Sequence, residues 1–550
     1  MTSGSSVRYA RAGAPRTRSM FKPVAKSRSL DWTKILDIPR AVGNLEREAS
    51  GDWHRDPWGW PENRYLLKKP ELMVDRLNED GVGAVAIVDV PKENFAARPA
   101  VVLDPLDRLS YMALVDHFSK ALIGDMATHA YGWRLSVEDP ASGQYARNGD
   151  EWERFRRHLA NAADEYEGLL LSDIVSCFAS IPVHHMNDML EQTLPQGRPL
   201  DRLLNLLDGW DKTPGRRGLP QRSSASAVLA NAYMRDLDLV LQANSKAFSK
   251  SSRSGGRPRS WARWMDDMWL FGDDVAKLRH AQVELQNEAA SLGLNLNSSK
   301  TELLEGEDVL ERALEIEHSA IDQELDIEML IGQLKAPRKK RTLEMHGLSD
   351  LISRIIHDRE SASRTNVRFA TTRMRTYKKF ERASELLDVA NRMPHCADHL
   401  ARLFRVSVGV SDYQDWFLHY TKSPWASYEW AIANFGTALA SSRRPRKATR
   451  EYFAEVLADG RRSLPLFALA AQRLSGWDSD ECRLALREAV KSATTPHHLR
   501  IAAFAGLASG ERRSTVRGWL AGPENRLTTE LLESLSFRAP RTSHDFAGDE

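Results

Sequence analysis

The sequence predicts an α+β domain with an antiparallel sheet over residues 31–330, followed by an all-α domain over residues 331–538. In the first region, short apolar runs alternate with helical stretches and turn signals, which is typical of mixed structure. From about residue 342, Ala, Leu, Arg and Glu recur at helical spacing almost without interruption. The basic stretch KAPRKKR at 335–341 marks the junction between the two regions.

Length and composition exclude several classes of protein. The 550 residues are more than one ordinary domain contains. The sequence has no apolar run long enough to predict a membrane-spanning helix. The three cysteines, Cys177, Cys396 and Cys482, lie far apart and form no CxxC pair. This spacing argues against a disulfide framework or a zinc module and fits a reducing compartment. We therefore expect a cytoplasmic protein without a membrane partner.

Both ends of the chain have the composition of segments outside a folded core. Residues 1–30 contain seven Lys or Arg and no acid, which predicts a basic disordered arm. Such an arm suits nucleic acid, although a solvated tail explains it equally well. Its composition is also that of an organellar transit peptide. Residues 539–550 are predicted to form a polar tail.

Two segments of the predicted helical domain resemble each other. LPLFALAAQRL at 464–474 and LRIAAFAGLAS at 499–509 begin 35 residues apart. This spacing is close to the period of stacked helix pairs, as in HEAT-like repeats. Simple helical bundling explains the likeness nearly as well.

Two adjacent carboxylates, Asp266 and Asp267, lie between ARW and MWLF, which together predict a hairpin with a buried exit strand. Charge beside such a strand is costly unless something compensates it. A third carboxylate, Asp173, ends the buried strand predicted at 169–171, where a local capping role is the alternative. Mg²⁺ prefers carboxylate oxygens, so three carboxylates predict a two-metal phosphoryl-transfer site.

Three further segments carry polar residues in suggestive places. GLPQRSSASAVLANAYM at 218–234 is a turn leading into a helix with small residues on one face, and GLNLNSSKT at 293–301 is a short strand followed by a polar turn. Upstream, two short strands are joined by a loop that holds Lys92 and Arg98, a pair of cations that can grip a triphosphate. Taken alone, Lys92 and Arg98 would more often be solvated surface charges, and an ordinary packed helix capped by serine is a fair explanation of the 218–234 segment.

In this order, the segments resemble the fingers-and-palm motif series of reverse transcriptases over about residues 55–305. Five motifs in order are far more specific than any one of them. The resemblance implies a right-hand polymerase with fingers and palm. The long helical region after the palm resembles bacterial abortive-infection and other defence-associated reverse transcriptases, whose C-terminal regions are helical and often repeat-like.

The resemblance also implies a role for each matching residue. The expected ligands are Mg²⁺, with Mn²⁺ as an alternative, and dNTPs. The roles are metal binding and catalysis for Asp173, Asp266 and Asp267, exclusion of a ribose 2′-hydroxyl for Phe178, nucleotide contact for Gln221, Lys92 and Arg98, and a catalytic position near the pyrophosphate for Lys300.

Three positions depart from the family pattern. Arg222 stands where glycine is usual, and could narrow the primer–template groove or contact a phosphate. Trp264 stands where tyrosine is usual, and still can stack on a primer end. Cys177-Phe178 keeps only one of two usual aromatics. Four other residues are expected to be structural, namely Asp273 and Asp274 in a turn and His184 and His185 on a helix.

The sequence therefore predicts a DNA polymerase in antiphage defence that adds dNTPs to a hydroxyl primer. In abortive-infection relatives the hydroxyl can belong to a protein tyrosine and synthesis need not follow a template. One alternative is templated copying of a partner noncoding RNA, and another is a nucleic-acid-binding scaffold with an inactive palm. Self-association, seen among the relatives, is expected. The candidate priming tyrosines are Tyr377, Tyr413, Tyr420, Tyr428 and Tyr452; the sequence does not choose among them, and helix packing is the favoured role for each taken alone.

Overall fold

The structure is a computed structural model that describes residues 30–215, 217–248, 260–313, 338–358, 362–440 and 443–542. Apart from residue 30, the predicted basic arm lies outside the described residues. So do residues 335–337 of the junction stretch and most of the predicted polar tail.

Among the described residues, seven strands form a separate hairpin and one five-stranded sheet. The hairpin pairs the first two strands, and the sheet has the order β3-β5-β6-β4-β7. All neighbours in the sheet are antiparallel except β3 and β5, so the predicted antiparallel sheet has one parallel pair at its edge. The strands are β1 Val85–Pro91, β2 Ala97–Leu103, β3 Ala130–Tyr131, β4 Gly168–Ser172, β5 Trp261–Trp264, β6 Asp267–Gly272 and β7 Glu302–Glu305.

Helices cover the sheet and enclose its two most apolar strands. Strand β4 is buried along its whole length, and so is β6 after its first residue, which explains their continuous apolar runs. The helices of this region are α1 Trp32–Ile35, α2 Ile38–Glu48, α3 Pro61–Leu66, α4 Pro70–Asn78, α5 Pro105–Ile123, α6 Asn148–Glu165, α7 Cys177–Ser180, α8 Val183–Thr193, α9 Arg198–Asp211, α10 Ser224–Tyr233, α11 Arg235–Phe248 and α12 Val275–Ser291.

The region after residue 337 is helical wherever the structure describes regular elements, as predicted. Alternate helices contact one another from α14 to α22, and the two similar segments lie in the buried helices α20 and α22. HEAT-like character stays a prediction. The helices are α13 Arg338–His357, α14 Arg364–Tyr377, α15 Ala383–Val389, α16 Ala397–Ser407, α17 Val410–Lys422, α18 Glu429–Gly436, α19 Lys447–Ala458, α20 Leu464–Trp477, α21 Ser479–Ala489, α22 Pro496–Ala508, α23 Arg513–Trp519 and α24 Arg526–Ser534.

No helix among the described residues is both long and apolar enough to cross a membrane.

Two predicted local features differ from the structure. The strand expected within 293–301 is a single bridge between Leu296 and Ile174, and the regular strand is β7. The chain turns away after β4, so only two backbone bonds form beside the bridge, one from Val175 to Asn295 and one from Asn297 to Asp173. In addition, Arg98 lies within β2 rather than in the hairpin loop.

The hydrophobic cores do not follow the boundary predicted near residue 330. One core surrounds the sheet, and the other lies among the helices after residue 337. The second core also contains Trp53, Trp58 and Trp60 together with one face of the β1–β2 hairpin. The hairpin therefore belongs to the first region by sequence but packs on the second.

A buried ion pair joins the same two regions. Arg500 on α22 is 3% exposed and lies between two fully buried carboxylates, with Nη1 2.8 Å from Asp56 Oδ1 and Nε 2.6 Å from Glu62 Oε1. Burial would raise the pKa of Asp56, but the Arg500 charge outweighs it and the pKa lies below its usual value. The guanidinium also stacks on Trp60, 4.4 Å from the ring centroid.

Arg500→Met should destabilise the fold strongly. It leaves two buried carboxylates without a cation, which typically costs about 3–5 kcal/mol of unfolding free energy. Urea denaturation followed by tryptophan fluorescence measures this. Arg526→Met is the matched control, because the Arg526–Asp75 pair joins the same regions but is half exposed and should contribute under about 1 kcal/mol. Equal effects of the two substitutions would contradict a structural role for the buried pair.

Candidate active site

Strand register brings the predicted carboxylates together. Asp173 directly follows β4, and Asp266 and Asp267 form the tip of the β5–β6 hairpin. Strands β4 and β6 are antiparallel, with Ser172 opposite Met268. Asp173, which follows Ser172, therefore lies opposite Asp267, which precedes Met268. The carboxyl group of Asp173 is close enough to that of Asp267 to raise its pKa.

Crowding of these carboxylates changes their protonation. Partial burial, followed by the charges of Asp266 and Asp173, raises the pKa of Asp267 to about 7. Burial and Asp173 raise the pKa of Asp266 to about 6, although Lys300 and Arg98 act in the opposite direction. Near neutral pH the cluster therefore retains protons unless a cation takes their place.

A buried arginine holds the carboxylate turn in position. Arg263 in β5 is fully buried, and its Nε and Nη2 donate to Asp238 at 2.5 and 2.8 Å. Its Nη1 donates to Asn231 at 3.0 Å and to the carbonyl of Met265 at 2.8 Å. Met265 has φ of +53°, so the turn backbone is strained and needs such support. Sequence reasoning missed this network, because no local pattern links a strand arginine to helices α10 and α11.

Two residues of the segment after α12 contact Asp173. Lys300 Nζ lies 3.2 Å from Asp173 Oδ2, and Asn297 Nδ2 donates to the same oxygen at 3.1 Å. Partial burial lowers the pKa of Lys300, but Asp173 outweighs it and the net pKa is raised. Lys300 is therefore a protonated donor beside the carboxylates, and Asn297 is a contact that sequence reasoning did not identify.

The hairpin places two further cations at the site. Lys92 Nζ donates to Ser176 Oγ at 3.1 Å, so the hairpin turn reaches the segment after β4. Burial and the nearby cations lower the pKa of Lys92 and of Arg98. Arg98 is near enough for its charge to act on Asp266.

Phe178 and Gln221 lie on segments that contact each other. The carbonyl of Phe178 accepts a bond from the backbone of Leu219 at 2.7 Å, and the Phe178 side chain is half-buried against the core. Gly218 has φ of +68°, and a Cβ there would lie 2.1 Å from the Phe178 oxygen. Glycine thus permits the close approach that sets Gln221 beside this segment.

Two of the residues that depart from the family pattern, Arg222 and Trp264, have different surroundings. Arg222 lies over Trp53, with Cζ 4.2 Å from the ring centroid. Trp264 is half-buried and packs on the ring of Trp152 at 4.8 Å and that of Phe155 at 5.7 Å. Their expected contacts with a primer or template stay predictions.

The second acidic pair is structural, as expected. Asp274 caps α12 by accepting bonds from the backbones of Ala276 and Lys277. Asp273 accepts one from the backbone of Glu167. His184 and His185 lie on α8 with their rings 4.2 Å apart.

The donor set fits a hard divalent cation. Within the part of the chain that the structure describes, no three or more His, Cys, Asp and Glu side chains are arranged to hold a metal ion by themselves. Mg²⁺, however, usually takes one or two carboxylates and completes its shell with substrate phosphates and water. The adjacent Asp173 and Asp267, with Asp266 beside them, match that requirement.

Comparison with known proteins identifies the domain. Residues 90–345 match the family model described as reverse transcriptase (RNA-dependent DNA polymerase), which spans the three carboxylates, Lys92 and Lys300. None of the curated proteins matches the chain. Together with the carboxylates assembled on the β4–β6 pair, this match means that the chain contains a reverse transcriptase domain and is an RNA-directed DNA polymerase, a nucleotidyltransferase.

Proposed function

We propose that the chain joins dNTPs to a hydroxyl primer with the aid of Mg²⁺ held by Asp173, Asp266 and Asp267. The observation that carries this proposal is the convergence of three carboxylates, two of them with raised pKa, at the ends of two neighbouring interior strands of the sheet. A protein that used the palm only as a scaffold would not need this costly crowding. The intact cluster thus speaks against the alternative of an inactive palm.

The other roles in the proposed reaction belong to side chains that surround the carboxylates. Mg²⁺, or Mn²⁺ in its place, would activate the hydroxyl and neutralise the triphosphate. Lys300 stays protonated and can donate to the departing pyrophosphate, while Lys92 and Arg98 bind triphosphate oxygens. Phe178 borders the site and would exclude a ribose 2′-hydroxyl, which favours dNTPs over ribonucleotides.

A role in antiphage defence rests on the long helical region after the palm, which resembles the C-terminal regions of defence-associated reverse transcriptases. In that setting the first hydroxyl can be a tyrosine of the chain. Tyr413 and Tyr420 are poor candidates, because both are buried and burial raises the pKa of each. Tyr428 lies at the hairpin, where its hydroxyl donates to the carbonyl of Phe95. We therefore propose Tyr428 as the priming residue.

Asp266→Asn and Asp267→Asn should each lower dNTP incorporation about a thousandfold or more. Each removes a charge worth several kcal/mol in the transition state, at about tenfold per 1.4 kcal/mol. Incorporation of labelled dNTPs by the purified full chain measures the loss. Asp273→Asn is the control, since Asp273 lies in the same hairpin but outside the site, and should keep normal activity. Activity that persists in both site variants would refute the polymerase proposal.

Stability should depend on pH and Mg²⁺ together. The folded state binds protons at Asp266 and Asp267 that the unfolded state releases near its lower pKa. Their contribution is therefore complete below the unfolded pKa, and is lost as the pH rises through about 6 to 7. Mg²⁺ should raise the unfolding temperature much more at about pH 8 than at about pH 5.5, because protons compete with it. Asp267→Asn should remove most of this difference in differential scanning fluorimetry, and a pH-independent effect of Mg²⁺ would contradict the assignment.

Tyr428→Phe tests how synthesis starts. The wild-type chain, freed of nucleic acid and given labelled dNTPs, should acquire label that survives a denaturing gel. Tyr428→Phe should lose this label, whereas Tyr420→Phe should keep it. Label on Tyr428→Phe would assign priming to another hydroxyl. Incorporation only in the presence of a co-purifying RNA would favour the alternative of templated copying.

A further inference from the structure

Three arginines surround one indole ring at the boundary between the two regions of the chain. The Cζ atoms of Arg222, Arg98 and Arg364 lie 4.2, 5.4 and 5.6 Å from the ring centroid of Trp53. They come from the turn before α10, from β2 and from the start of α14. Trp53 is held from the helical side, since its carbonyl accepts the indole N–H of Trp430 at 2.9 Å.

This arginine cluster lacks matching negative charge. Arg364 makes two bonds to Asp398, at 3.0 and 2.6 Å. Among the residues that the structure describes, the side chains of Arg98 and Arg222 form neither a hydrogen bond nor an ion pair. Partial burial, followed by the charges of Arg364 and Arg98, lowers the pKa of Arg222 to about 10. Among the described residues, Asp398 is therefore the carboxylate that pairs with the cluster, and two of its three guanidinium groups have no ion pair.

Arg222 also adopts a backbone conformation that suits glycine better. Its φ is +60°, in the left-handed region that side chains disfavour. The residue is exposed, and its guanidinium lies against the face of Trp53. Strain that persists at an exposed, unpaired cation points to a binding role for the side chain.

The cluster adjoins the catalytic carboxylates but extends away from them. Arg98 is influenced by Asp266, whereas the charges that act most strongly on Arg222 are those of Arg364 and Arg98. A nucleic-acid strand has a phosphate at every nucleotide, so a strand that reaches the carboxylates can place further phosphates along this line. Bidentate guanidinium contacts suit phosphate oxygens, and exposed guanidinium planes can also stack on unpaired bases.

We propose that Arg222 and Arg364, beside Trp53, bind the phosphate backbone of a single nucleic-acid strand that passes between the reverse transcriptase domain and the helical region. The inference rests on the proposed function in that the strand is a template or product of synthesis. The helical region then contributes directly to strand binding through Arg364.

The test measures strand binding in EDTA, where no synthesis occurs, by fluorescence anisotropy of a labelled single-stranded oligonucleotide on the full chain. Arg222→Gly should weaken binding about fivefold or more and lower the salt slope of log K by about 0.7, the value for one lost phosphate contact on a single strand. Arg222→Glu should weaken binding further. It should also raise the unfolding temperature, because the new carboxylate can pair with Arg98 and Arg364. Arg279→Glu is the matched charge reversal and should change neither, because Arg279 is an exposed residue of α12 whose side chain donates to Gln282.

Weaker strand binding together with a higher unfolding temperature in Arg222→Glu would distinguish a binding site from a purely structural cluster. If Arg222→Gly and Arg222→Glu bind the strand with wild-type affinity and salt slope, the proposal is wrong. If they weaken binding of a dNTP, measured by competition, but not of the strand, the phosphate belongs to a nucleotide and the proposal is also wrong. Loss of incorporation in the Asp266→Asn test leaves this binding measurement unaffected, so the two proposals fail independently.

Discussion

Repulsion among Asp173, Asp266 and Asp267 is the constraint on which the catalytic half of the molecule depends. Three carboxylates beside buried strands would separate unless the backbone held them. The β4–β6 register fixes one pair, and Arg263 fixes the strained turn from below through Asp238 and Met265. The same crowding that lowers the stability of the fold raises the pKa of Asp266 and Asp267.

The position of the β1–β2 hairpin depends on a second set of interactions, which does not involve the carboxylates. One face of β1 and β2 is buried in the core of the helical region, and the turn that follows Lys92 contacts Tyr428. The β1–β2 hairpin is thus positioned in part by a residue more than 300 positions further along the chain. The helical region therefore packs directly on an element of the first region and is not an independent appendage.

Much of the candidate site could be predicted from sequence because its residues lie in short continuous segments. The apolar runs around Asp173 and Asp267 are local signals, and the structure has strands where those runs predict them. The segment at 293–301 is different: its alternation predicts a strand, but pairing depends on where β4 ends, and only a bridge forms. The arginine cluster at Trp53 depends on packing between distant segments, which no local pattern encodes.

The pairing of Arg500 with Asp56 and Glu62 has a consequence for synthesis on the ribosome. Asp56 precedes its partner by 444 residues. At roughly 5–20 residues per second, it waits about 20–90 s before Arg500 is made. Until then Asp56 and Glu62 have no Arg500 to pair with, and Trp60 lacks its contact with the guanidinium. This buried ion pair therefore forms only after nearly the whole chain has been made.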